Sequence, residues 1–175
     1  MGKTYIGIDP GAKSMLTTQR DGVFEHFSIL EDGIEGYAQI LKNIKEETNG
    51  NCVCIMEEIH AIFGSSAKAT FSFGEIYGKL QGLLIAYQIP FHLVQPKQWQ
   101  KEMWSNADMV CTYKDVILKG KATKRKVVNT KLTSMNTCKR LFPNIDQRRN
   151  VRCKKADDNL VDSVLLCEFA RRMNF

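Results

Sequence analysis

"KTYIGIDPGAKSMLTTQRDGVFEHFSIL", residues 3–30, decides the fold. Its first seven residues are β-branched and aromatic, and "GAKS" follows as a turn, so a strand is expected to end at Asp9. Residues 15–30 read as two further strands around the turn signal Asp21-Gly22, a hairpin. Outward from there, Tyr37, Ile40, Leu41 and Ile44 recur at helical spacing between Gly36 and Glu47 and stop at "TNGN". "CVCIMEE", residues 52–58, predicts a short buried strand, residues 67–88 a helix, and "IPFHLVQP", residues 89–96, a return strand. "KQWQKEMW" predicts a short helix, and Thr130 to Leu141 a longer one that Phe142-Pro143 ends. A last helix is expected from about Asp157 to Arg172. Residues 105–128 alternate weak helix signals with Gly and Lys and are expected to form a mobile basic insertion. The whole pattern describes an α/β domain, a mixed five-stranded sheet flanked by helices. Such folds place their chemistry at strand ends.

The 175 residues suit one domain with a real core. Lys and Arg outnumber Asp and Glu 25 to 19, for a net charge of +6, and the last third is densest in cations: "KGKATKRK", "CKRLF", "DQRRNVRCKK". That bias favours a polyanionic partner. The 6 cysteines fall at irregular spacings with no CxxC pair, which fits reduced intracellular thiols rather than a disulfide framework. With only 3 histidines, a zinc site is not expected. The longest apolar runs, such as "GLLIAY", are far too short for a bilayer, and no targeting peptide is visible; an intracellular, cytoplasmic protein without membrane contact is expected.

"KKADDNLVDSVLL", residues 154–166, sets Asp162 among Leu160, Val161, Val164 and Leu165, where a charge is unwelcome. On a helix Asp158 and Asp162 lie about 40° apart and share a face, whereas Asp157 and Asp162 are about 140° apart. Asp157 suits the N-cap or first turn. If the Asp158/Asp162 face packs over strand ends bearing Asp9 and Glu57, four carboxylates converge and raise one another's pKa unless cations fill the gap. Mg²⁺, a hard ion that prefers carboxylate oxygen, is the expected occupant; a pair of such ions can hydrolyse a phosphodiester. The plainer alternative is that Asp9 caps a turn and the other acids are surface or capping residues.

"IGIDPGAKS" (6–14) resembles the first-strand motif of RuvC-like Holliday junction resolvases, members of the RNase H-like nuclease superfamily. "MEEIHAIFGSSAKATFSFGEIYGKLQGLL" (56–84) is similar to the second motif of their phage-type branch. "QPKQW", "TKLTSMNTCKRLFP" and "KKADDNLVDSVLLCEFARR" follow in the family's order, so the resemblance spans nearly the whole chain apart from about residues 105–128. It implies an RNase H-like fold and an endonuclease that resolves four-way DNA junctions by paired nicks. Asp9, Glu57, Asp158 and Asp162 would then hold two Mg²⁺ or Mn²⁺ ions, and Lys131 would neutralise charge on the phosphate. The spacing of Asp158 and Asp162 matches the phage-like branch; Asp157 is an alternative ligand to Asp158, and Glu58 is a neighbour of the favoured Glu57. An aromatic residue after the catalytic glutamate stacks on bases in the family, which makes His60, Phe63, Phe71 and Phe73 candidates. Phe71 and Phe73 also suit a core or dimer interface. Gly74, Gly78 and Gly82 recur every four residues, which implies either packing on the sheet or the contact of a C2 homodimer. Lys119, Lys121, Lys124, Arg125 and Lys126, with Arg148, Arg149, Arg152, Lys154 and Lys155, are candidate phosphate contacts. Alternatives are a relaxed fork or flap nuclease, a junction-binding protein with an unused site, and an RNA nuclease of the same superfamily.

Overall fold

The structure, a computed structural model, describes residues 2–59, 66–118 and 121–175. Strands β1 (Thr4–Asp9), β2 (Met15–Arg20), β3 (Val23–Ser28), β4 (Cys52–Glu57) and β5 (Phe91–Val94) form one sheet in the order β3-β2-β1-β4-β5. β1, β2 and β3 are antiparallel, and β4 and β5 run parallel to β1. Asp21 (φ 51°) and Gly22 (φ 83°) form the tight connection between Arg20 and Val23, since two positive φ values are what a two-residue hairpin turn of matching twist requires. This is the mixed sheet that the sequence predicts.

Period-two alternation sorts the side chains into two cores. Ile6, Ile8, Cys52, Cys54 and Met56 pack with α1 (Ile29–Glu47) and α2 (Ala67–Ala86) through Tyr37, Leu41, Leu80 and Leu84. On the opposite face Ile55 and Val94 pack with α3 (Pro96–Met103), α4 (Thr130–Leu141) and α5 (Asp158–Arg172) through Trp99, Cys138, Leu160, Val161, Val164 and Leu165. Odd-numbered residues of β1 and β4 face this second layer, so Asp9 and Glu57 lie on the side that α5 covers.

Gly7 sets how closely α5 approaches. A Cβ there would stand 2.1 Å from the Ser163 carbonyl oxygen and 2.7 Å from the Cys167 nitrogen, so helix backbone rests directly on strand backbone. Ser163 and Cys167 continue the fit: Ser163 Oγ is 2.7 Å from Thr17 Oγ1, and the Cys167 thiol donates to the Thr17 carbonyl at 3.0 Å.

Two elements differ from the sequence expectation. The first helix begins at Ile29, with a break at Gly33 (φ 67°, ψ −176°), so the periodic stretch from Gly36 is only its second piece. The weak helix signals of residues 105–128 do not become a helix. A 3-10 turn at Asn106–Asp108 leads into β6 (Cys111–Leu118), which pairs antiparallel along its length with β7 (Lys121–Val128) as a separate two-stranded sheet.

Candidate active site

Asp9 and Glu57 end neighbouring parallel strands, and α5 crosses them with Asp158 and Asp162 one turn apart. Asp9 is held well above the usual carboxylate range by burial and then by the charges of Asp162, Glu57, Asp158 and Asp157. Burial likewise raises Glu57, against the effect of the Trp99 indole, whose Nε1–H donates to Glu57 Oε2 at 2.8 Å. Asp162 is pushed up to about 7, by burial first and by Glu57 and Asp158 after it, while Ser134 donates a hydrogen bond that opposes the rise. Its Oδ1 is buried with no hydrogen-bond partner. Asp162, a charge on an otherwise apolar helix, is thus a carboxylate turned toward other carboxylates.

Asp158 is the exception. Burial acts to raise it, but the Lys131 ammonium outweighs burial and holds it below its ordinary value; the same ion pair raises Lys131. Asp157 caps α5, accepting from the backbone N–H groups of Asn159 at 3.0 Å and Leu160 at 3.2 Å, and its other oxygen accepts from Arg149 at 2.8 Å. That work is structural and leaves the site's helix face to Asp158 and Asp162. Glu58 lies past the end of β4, so strand alternation selects Glu57.

The acids carry more negative charge than one lysine offsets. The donor set is four hard carboxylates, one of them with an orphaned buried oxygen, and this fits a divalent cation such as Mg²⁺. Among the described residues, however, no three His, Cys, Asp or Glu side chains are grouped closely enough to hold one ion as they stand. Asp158 is engaged by Lys131 and Glu57 by Trp99, and these are the partners an arriving ion would compete with.

The remaining candidates separate. His60, Phe63 and Lys119 lie outside the described residues. Phe73 is half-buried, against the turn at Gly11 that follows Asp9, while Phe71 is 74 % exposed, so a core role for Phe71 is corrected. Gly74, Gly78 and Gly82 are exposed with open space where a Cβ would sit, which corrects the reading that they pack on the sheet. Lys124, Arg125 and Lys126 stand exposed on β7, and Lys154 and Lys155 on the loop before α5. Arg148 is paired with Asp146. Arg149 has a side chain only 7 % exposed and ties Asp157 to Ser28 and the Lys13 carbonyl, which leaves it little surface for a phosphate. Trp99 and Ser134 are site residues that the sequence does not single out, although Ser134 follows Lys131 at a same-face helical interval and Trp99 closes the "QPKQW" stretch.

Sheet order and the crossing helix define an RNase H-like fold of the RuvC type. Solved structures share it: Thermus thermophilus RuvC in complex with a Holliday junction substrate, at 11 % identity and TM-score 0.54, with 98 % of this chain and 96 % of that one covered. A second Thermus thermophilus RuvC structure matches at 13 % identity and TM-score 0.50, with 98 % and 96 % covered. The yeast mitochondrial Holliday junction resolvase Ydc2 matches at 16 % identity and TM-score 0.52, with 98 % and 78 % covered. No family model matches the sequence, and no curated protein does.

Proposed function

We propose that this chain is a metal-dependent, structure-selective DNA endonuclease that resolves Holliday junctions by paired symmetric nicks. The observation that carries the reading is the meeting of Asp9, Glu57, Asp158 and Asp162 at one end of a RuvC-like sheet, with Asp9, Glu57 and Asp162 raised and one buried oxygen unpartnered. Two Mg²⁺ or Mn²⁺ ions held by these four carboxylates would supply Lewis-acid stabilisation of phosphodiester hydrolysis. The chain's own groups prepare the site. Trp99 orients Glu57, and Ser134 orients Asp162. Lys131, paired to Asp158 yet with a side chain 70 % exposed, presents an ammonium at the rim for a non-bridging phosphate oxygen.

A homodimer suits the task, because a four-way junction has approximate twofold symmetry and needs two active sites in that relation. The exposed side of α2 supports it: Phe71 (74 % exposed), the open Gly74, Gly78 and Gly82, and Ile85 (66 % exposed) follow one another at helical spacing. The cysteines are free, in keeping with an intracellular site of action. No described helix is long and apolar enough to cross a membrane.

The test is cleavage of a synthetic four-way junction with Mg²⁺, beside three-way and linear duplexes, by the wild type, Asp9→Asn and Asp162→Asn. The wild type is expected to cut the four-way junction in preference, at symmetric positions. Both variants should bind it and cut about a hundredfold more slowly or worse, about 3 kcal/mol of lost transition-state stabilisation. Full activity in either variant would overturn the reading.

A further inference from the structure

The β6–β7 ribbon lies outside the stretches that carry the RuvC-like resemblance and forms its own sheet, so neither of its faces is buried in the core. Its two faces differ in charge. Directly opposed residues of an antiparallel pair share a face. On one face Asp115 sits opposite Lys124 and Tyr113 opposite Lys126, so a cation there is partly neutralised by an acid across the strands. On the other, Lys114 sits opposite Arg125, with Thr112 and Val127 on one side and Val116 and Thr123 on the other. Both cations are exposed, and among the described residues neither has an acidic partner. Like charges set directly opposite destabilise a two-stranded sheet, and an anion between them would relieve that cost.

The ribbon's root adjoins the candidate active site. The Asn129 N–H donates to the Val110 carbonyl at 2.7 Å, the Val110 N–H donates to Thr133 Oγ1 at 3.1 Å, and the Asn129 side chain caps α4 through the Leu132 N–H. Lys131, in the first turn of that helix, holds Asp158. With 8 residues per strand the ribbon reaches roughly 26 Å. A two-stranded ribbon fits the major groove of B-form DNA, whereas the deep, narrow major groove of A-form RNA admits no such element.

We propose that the β6–β7 ribbon enters the major groove of a duplex DNA arm beside the cut site, with Lys114 and Arg125 on its phosphates. This rests on the nuclease reading and adds to it where one arm is held. The test measures junction binding by the full-length chain against salt concentration, every version carrying Asp162→Asn so that the DNA stays intact. Lys114→Gln with Arg125→Gln is expected to lower the slope of log K against log salt by about two, one for each phosphate left unneutralised. The pair Lys114→Arg with Arg125→Lys should keep it, as should Lys42→Gln on α1. Matched melting temperatures show that the substituted proteins fold. An unchanged slope in the doubly neutral variant overturns the ribbon proposal alone, as does an equal loss on double-stranded RNA. Failure of the unsubstituted ribbon protein to bind any branched DNA overturns the nuclease reading and this proposal with it.

Discussion

Asp162 carries two opposed demands: it sits in an apolar helix yet faces other acids. Its folded pKa of about 7 lies above the ordinary value of 3.8, so the folded chain holds a proton that the unfolded chain releases between about pH 4 and pH 7. Stability associated with this group is therefore full below pH 4 and lost as pH rises toward 7. In metal-free buffer at pH 8, Asp162→Asn is expected to melt several degrees above the wild type. Mg²⁺ should raise the wild-type melting temperature and move the variant much less, since binding to the folded state alone stabilises it. Thermal unfolding with and without EDTA measures both. His26 has the opposite sign. Burial lowers it to about 4, and its ring Nδ1 is hydrogen-bonded to Thr17 Oγ1 at 3.0 Å. The unfolded chain binds the extra proton between about pH 6.5 and pH 4, so stability falls as pH drops through that window, by about 3 kcal/mol at most. Denaturant midpoints should show His26→Gln with a flatter acid limb. The four candidate acids could be named from the sequence because strand ends and a helical interval of four set them apart. Trp99 and Ser134 were not legible there, nor was the pairing of Arg149 with Asp157, because a side chain's partner across the fold leaves no local period.

At the scale of elements, the approach of α5 to β1 through Gly7 positions half of the acids against the other half. Gly7→Ala puts a methyl group where helix backbone already stands, 2.1 Å from the Ser163 carbonyl oxygen. Overpacking of this kind costs about 1–3 kcal/mol and is relieved only by lifting α5. The expected outcome is a lower urea midpoint, together with a loss of cutting larger than the unfolded fraction explains, measured where the variant remains folded. Strand and helix identities came through the sequence wherever one face is buried, since burial writes an alternation of two or a period of 3.6. The ribbon of residues 111–128 escaped because its faces are largely exposed and its pairing, Lys114↔Arg125 among others, has no apolar alternation to read. The early start of α1 escaped for another reason: a glycine break splits its periodicity.

For the whole molecule the deciding quantity is how many copies act together. Gly78→Arg meets no atom within 4 Å of its new Cβ and removes a helix-weakening glycine, so the protomer should fold as well as the wild type. Light scattering is expected to find a wild-type dimer and a Gly78→Arg monomer. On a cruciform plasmid the wild type should give linear product and the variant nicked circles. A wild type that stays monomeric both free and on DNA removes the paired-nick mechanism. A mixed sheet was readable from the succession of strand and helix signals, whereas the glycine repeat was compatible with two partners; the bare side of α2 removes packing on the sheet as one of them. The crossing of α5 over β1, β2 and β4 has one more outcome, set by the direction of translation. Asp9 and Glu57 leave the ribosome long before Asp158 and Asp162, so a nascent chain cannot bring the four acids together until the segment from residue 158 has emerged. Until then the sheet face that α5 covers stands open, and it is the surface a chaperone would meet.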